Sequence, residues 1–322
     1  MIAGTVSEVN VVPTGIDGAN TVLMFMRLFL LPTPSLIAFP NVMPTLAITS
    51  IGLVRQNTLV LTITNIGAKN PYKGFINSNG KQITKNDFTN IAHIINHGHN
   101  LAERDFDVAF VNEYSTPNTH SHKIKEVFCK FIKCCLTPLD GEKNHNTGGV
   151  GIIQRGNKNI IQTPTLHKLL NEKLQAGRFA LYGINIGNGE VALVALVYVT
   201  YGHTNGNGDP EARGRTDDLL GLVFQDMDMQ VPGPKFVMGD FNATVLNLPH
   251  LSDQIDMGKV FDIGAIDPKY GSSDNLPTCQ NNGKQKPSRN GYILANHEAE
   301  KIIKRFDVIT NTNIPNSCYS QG

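Results

Sequence analysis

Apolar residues along the chain recur with two periods: short continuous or alternating runs, and stretches in which every third or fourth position is apolar. These are the signatures of buried strands and one-sided helices. Residues 59–66 (LVLTITNI) and 108–112 (VAFVN) read as buried strands, and 150–154 as a third that follows a glycine pair. Residues 178–186 and 191–201 predict a hairpin. It reverses at Gly187-Asn188-Gly189, residue types that accept positive φ. Further strands are expected at 235–238, 260–263, 292–295 and 306–310. Helical spacing marks 87–97, with Phe88, Ile91, Ile94 and Ile95 on one side, and also 215–229 and 297–304. The clearest helical pattern covers 123–135, where Ile124, Val127, Phe128, Phe131 and Cys135 share a face and Lys123, Lys125, Lys130 and Lys133 lie between. Hairpins mixed with strand–helix alternation predict an α/β domain with mixed rather than all-parallel sheet.

This reading starts at residue 58. Residues 1–57 hold only four charges, Glu8, Asp17, Arg27 and Arg55, with five prolines, and are left as an unassigned N-terminal segment. Their apolar run from Val22 to Leu31 is interrupted by Arg27 and falls short of the ~20 residues that span a bilayer. It also lacks the basic leader of a signal peptide. An intracellular protein without membrane contact is expected over a secreted one. The assigned domain is 58–322.

Composition narrows the partners. The 322 residues are 40% hydrophobic, enough for a sizeable core. With 28 basic and 27 acidic residues the net charge is +1, which excludes a global basic field; nucleic acid would have to be met by a local patch. Five cysteines at irregular spacing fit no zinc framework and are expected as reduced thiols; Cys134 and Cys135 are adjacent, so pairing them would be strained.

The candidate chemistry lies where strands end. Asn65 closes the first strand, Glu113 follows VAFVN, Tyr201 ends the hairpin, and Asp240 and Asn242 follow KFVMG. Polar groups set after apolar runs are how a sheet presents side chains at one rim. A hard cation such as Mg²⁺ or Mn²⁺ takes oxygen ligands, so Glu113 is the candidate principal ligand and Asn65 a second through its amide oxygen. Asp240 is a candidate to orient or deprotonate a water, and Asn242 and Tyr201 to hydrogen-bond a phosphate as its charge grows. Each alone has a plainer explanation. Glu113 can be a solvated loop carboxylate, Asn65 a strand-end cap, Tyr201 half-buried core, and Gly239-Asp240-Phe241-Asn242 a turn.

In order, these stretches resemble the endonuclease/exonuclease/phosphatase (DNase I-like) superfamily. The matching segments are LTITNIG, FVNEYST, NTGGVGIIQR, VYVTYGHTNG, FVMGDFNAT and SRNGYILAN, from about residue 58 onward. The Gly-Asp-Phe-Asn match is the most specific. The overall look is nearer the retrotransposon-type and orphan nucleases than the inositol phosphatases. The resemblance implies a four-layer α/β sandwich of two mixed sheets flanked by helices, and metal-assisted hydrolysis of a phosphodiester, with DNA the foremost expected partner. It implies metal-side roles for Asn65 and Glu113, phosphate contact for Tyr201, nucleophile positioning for Asp240 and phosphate support for Asn242.

Two departures accompany it. The family's late strand opens Ser-Arg-Ile-Asp, whereas this chain has Ser288-Arg289-Asn290-Gly291, so Gly291 stands in place of the Asp. The family's Ser-Asp-His motif is met by Ser317-Cys318-Tyr319, followed only by three residues, without room for the usual last strand. Losing the histidine removes a group worth on the order of 10²–10⁴-fold in rate. Impaired hydrolysis is therefore expected, and the alternative is an inactive nucleic-acid-binding or structural relic. His203 and His297 are weak substitutes. His93, His97 and His99 lack the remaining pattern of a zinc site. Asp226 and Asp228 read as solvated helix-end carboxylates, Lys284, Lys286 and Arg289 as a solubilising basic stretch, and Gly148-Gly149 as an aid to close strand packing.

Overall fold

A computed structural model of the chain describes residues 22–29, 58–65, 107–112, 132–136, 149–155, 159–199, 210–265, 269–270, 275–278 and 289–310. They form twelve strands in two sheets. The first holds β1 (Val22–Phe29), β2 (Thr58–Asn65), β3 (Val108–Asn112), β4 (Ile132–Leu136), β5 (Val150–Arg155) and β12 (Ile303–Thr310), in the order β12-β1-β2-β3-β5-β4. The second holds β6 (Ile160–Gln162), β7 (Phe179–Gly187), β8 (Glu190–Tyr198), β9 (Lys235–Asp240), β10 (Phe261–Asp262) and β11 (Gly291–Ala295), in the order β10-β11-β9-β8-β7-β6. Helices α1 (Lys168–Gln175), α2 (Pro210–Met229), α3 (Pro249–Asp256) and α4 (His297–Ile302) connect strands of the second sheet or lead out of it.

Both sheets are mixed, as expected, and each contains one parallel pair: β2 with β3, and β8 with β9. A parallel pair needs a crossover, because a tight turn can only reverse the chain. Between β8 and β9 that crossover carries α2. The remaining pairs are antiparallel.

Strand parity builds the layers. Val108, Phe110, Val150 and Ile152 of the first sheet meet Ala180, Tyr182, Val194, Leu196, Phe236, Met238 and Ile293 of the second in one buried core. The alternate residues of the second sheet, including Leu181, Ala195, Val197, Val237 and Leu294, pack outward against Leu170 of α1, Leu220 and Phe224 of α2 and Leu251 of α3. The result is the expected α/β sandwich of two sheets with flanking helices. The segments expected as helices at 87–97 and over most of 123–135 lie outside the described residues.

Four sequence expectations change. Ile132–Leu136 is a strand, antiparallel to β5, not the end of a helix. Pairing with the open edge of β5 overrides the local helical pattern, as tertiary context does for short segments. Strand β1 comes from the unassigned residues 1–57 and lies between β12 and β2. Asp226 is fully buried rather than solvated; its Oδ1 accepts the backbone N–H groups of Leu166 and His167, both at 2.6 Å, and Gln230 Nε2 donates to Oδ2 at 3.2 Å. Asp228 is exposed, as read. Arg289 is half-buried rather than a free surface charge, and its guanidinium grips both carboxyl oxygens of the buried Asp262.

Candidate active site at the sheet rim

The two parallel pairs end at one rim of the sandwich, and a chain of hydrogen bonds shows it. Asn65 and Asn112 are register partners at the ends of β2 and β3. Asn112 is the partner of Val150, at the start of β5. The next residue back, Gly149, donates its N–H to Gly177 O at 3.0 Å, which joins the first sheet to the approach of β7. Beside Gly177, Arg178 O accepts the N–H of Tyr198 at 2.9 Å. Tyr198 is in turn the partner of Asp240 at the end of β9, and Asp240 is the partner of Gly291 at the start of β11. Gly149 sits at φ 99°, a conformation that favours glycine, so this link depends on it.

Parity then fixes which side these residues occupy. Phe110 precedes Asn112 by two, Leu196 precedes Tyr198, Met238 precedes Asp240 and Ile293 follows Gly291; all four apolar residues belong to the core between the sheets. Asn112, Tyr198, Asp240 and Gly291 therefore continue that inner face to the rim. Arg178 holds the same parity ahead of Ala180 on β7. Its guanidinium lies 5.2 Å from the centroid of the Tyr198 ring, and Nη1 donates to Val199 O at 3.4 Å.

The Gly-Asp-Phe-Asn segment is shaped on both sides. A Cβ on Gly239 would fall 1.9 Å from Val197 O, so the parallel approach of β9 to β8 admits only glycine there. The turn starts later than the sequence suggested, because Gly239 and Asp240 still belong to β9. Asn242 has φ 48° and donates its N–H to Asp240 Oδ1 at 3.1 Å, a local turn that asparagine tolerates. Phe241 turns outward and stacks on Tyr292, with ring centroids 5.1 Å apart and planes within 9°. Its N–H donates to Asn290 O at 2.7 Å. Arg289 covers Tyr292 at 4.6 Å from the ring centroid. Burial pushes the Tyr292 phenol up to about 12, so it stays neutral. The Asp262–Arg289–Tyr292–Phe241 stack thus braces the turn that carries Asp240 and Asn242.

Of the sequence-predicted site residues, Asp240 and Asn242 are joined across this turn by the Asn242 N–H, and Asn65 has its backbone at the same rim. Glu113 is the residue directly after Asn112 but lies outside the described residues, as do Tyr201, His203, Cys318 and Tyr319. Strand β8 ends at Tyr198, not at Tyr201. His297 follows β11 at the end opposite Gly291, since Ala295 pairs with Phe236 at the far end of β9, so it is remote from Asp240. Sequence reading missed Asn112, Arg178 and Tyr198. Their signal was present: each extends an alternating row of inward residues by one polar step.

An oxygen-loving cation fits this rim. Asn112 is 1% exposed and its Oδ1 has no hydrogen-bond partner among the described residues. Asp240 supplies a half-buried carboxyl group. Among the described residues no three His, Cys, Asp or Glu side chains cluster, and no helix is long and apolar enough to cross a membrane.

No family model and no curated protein matches the sequence. Solved structures do. TDP2 from C. elegans is 15% identical, over 64% of this chain and 59% of that one, with a TM-score of 0.44. The match thus spans less than two thirds of that protein. The catalytic domain of Xenopus laevis APE2 is 14% identical, over 66% and 80%, with a TM-score of 0.47. An AP endonuclease from Archaeoglobus fulgidus is 13% identical, over 66% and 83%, at 0.43. These proteins belong to the DNase I-like superfamily, the group that the motif order resembles. With TM-scores below 0.5, the architecture rests on the strand pairing described above rather than on these likenesses.

Proposed function

We propose that the chain is a divalent-metal-dependent phosphodiester hydrolase of nuclease type, acting on nucleic acid and DNA foremost, with impaired activity. The observation that carries this reading is the meeting of both parallel strand pairs at one rim, where Asp240 is held by its turn with Asn242. In this reading Glu113 and Asn65 hold Mg²⁺ or Mn²⁺, with the oxygen-donor chemistry such cations take. The bound ion would supply charge stabilisation at the phosphate. Asp240 orients a water and takes its proton. Asn242 and Tyr201 hydrogen-bond the phosphate, and Arg178 adds a fixed positive charge beside it.

Impairment follows from Gly291. It is the register partner of Asp240, and it brings no carboxyl group to the place where the resemblance expects one. Cys318 and Tyr319 in place of Asp and His act in the same direction. The same observation supports the second reading, a catalytically inactive nucleic-acid binder on the scaffold of such an enzyme.

One assay separates the two. The protein is incubated with plasmid and with abasic-site DNA, with Mg²⁺ or Mn²⁺, beside Glu113→Ala and Asp240→Ala. Weak cleavage that both substitutions remove supports the hydrolase. Retention of DNA without cleavage, weakening as salt rises, supports the binder. Turnover as fast as that of an enzyme with the Asp and His in place would sink the impairment, and absence of both cleavage and DNA retention would sink both readings.

A further inference from the structure

We propose that Asn112 is an additional oxygen donor to the divalent cation, an inference that rests on the metal-dependent reading above. Strand parity sends its side chain inward in line with Val108 and Phe110, into the space between the sheets at the rim. There it is 1% exposed, and among the described residues its Oδ1 accepts no hydrogen bond. A buried amide oxygen without a donor costs stability, because it gives up water and gains nothing. Such a group marks a site that is completed by something else.

The surroundings say what completes it. Asn65 is its register partner, Glu113 is its chain neighbour, and Asp240 ends a row on the facing sheet at the same rim. Asp240 brings a carboxylate to the rim, and in the reading above Asn65 and Glu113 add an amide and a second carboxylate, the kind of oxygen set that a hard cation collects. A neutral amide adds a donor without adding like charge to the carboxylates. Across the rim Gly291 offers no side chain at all, which leaves the cation with one oxygen fewer on that side.

The proposal predicts opposite effects of one substitution on stability and on binding. Asn112→Leu replaces the amide by an apolar group of similar volume. Without metal, its Tm should equal or exceed that of the unaltered protein. Its affinity for Mn²⁺, measured by calorimetric titration of the full chain with Mn²⁺ alone, should fall on the order of ten-fold. Asn112→Asp should bind Mn²⁺ more tightly than the unaltered protein. Glu113→Gln is titrated beside them. If Glu113→Gln loses Mn²⁺ while Asn112→Leu binds it unchanged, the role of Asn112 is overturned and the metal-dependent reading stands. If the unaltered protein does not bind Mn²⁺, both fall. A lower metal-free Tm for Asn112→Leu means that the amide has a structural partner, and overturns the proposal. Should Asn112→Leu fail to fold, Asn112→Asp decides: affinity no tighter than the original overturns it.

Discussion

Two buried polar residues, one on the helical flank and one at the sheet rim, are treated in opposite ways. Asp226 lies under the junction of α2 with residues 164–167, fully buried, with two backbone N–H groups and the Gln230 amide bound to its carboxyl group. Gln230 also donates to Pro164 O, closing the junction. Asn112 is buried almost as deeply and has no partner for its oxygen among the described residues. A satisfied buried group secures the fold; an unsatisfied one weakens it and is retained where function uses it. The flank is built for stability, whereas in the proposed reading the rim serves chemistry.

The sharpest way to break this contrast is Asp240→Ala, which should lower any metal-dependent cleavage by about 10²–10⁴-fold. Its Tm should stay close to that of the unaltered protein. A large loss of Tm would make Asp240 a structural residue like Asp226. Asp226→Ala should do the reverse. It removes the acceptor of the part-buried Leu166 and His167 N–H groups, so urea unfolding should report a loss of about 1–3 kcal/mol. Residual cleavage per folded molecule should not change.

Gly239→Ala tests the joint between the two regions, since β9 carries the rim on one face and the helical flank on the other. Its new Cβ would meet Val197 O, a backbone atom that cannot swing aside, so a loss of about 1–3 kcal/mol is expected. A neutral substitution would mean that β8 and β9 are not so closely paired.

The smallest effect concerns a third polar anchor. Glu300 is held by Lys269 and Tyr270, and these hydrogen bonds, that from Lys269 foremost, lower its pKa below the ordinary 4.5. Its stabilisation is therefore present above that ordinary value and is lost as pH falls through the depressed one. Glu300→Gln should flatten the decline of Tm with acid below about pH 4.5 and change little near neutrality. An equally steep acid decline in the variant would assign the effect to other carboxylates.

Much of the scaffold could be read in the sequence because its signals are local. The hairpin needed only an alternating row and Gly187-Asn188-Gly189, and φ values of 105°, 52° and 79° occupy that turn. Strand β9 and the candidate residues Asp240 and Asn242 at its end were visible as KFVMGDFN. At 132–135 the helical pattern misled because five residues suit either a helix face or an edge strand, and the free edge of β5 decided between them. Asp226 misled in the same way: nothing within α2 shows that residues 166 and 167 fold back over its end. Arg289 resembled a surface charge until Asp262, 27 residues earlier, met it.

By itself the sequence determined most of the strands, though not β1, β4 or β6, where the hairpin reverses, and that oxygen-bearing side chains close several strands, since periodicity and turn chemistry act over a few residues. Only the tertiary structure decided that the ends of β2, β3, β8 and β9 share a rim, that Asn112, Arg178 and Tyr198 join Asp240 there, and that Gly291 is its neighbour. These are contacts between residues far apart along the chain. Register and sheet packing set them, and no local pattern encodes either.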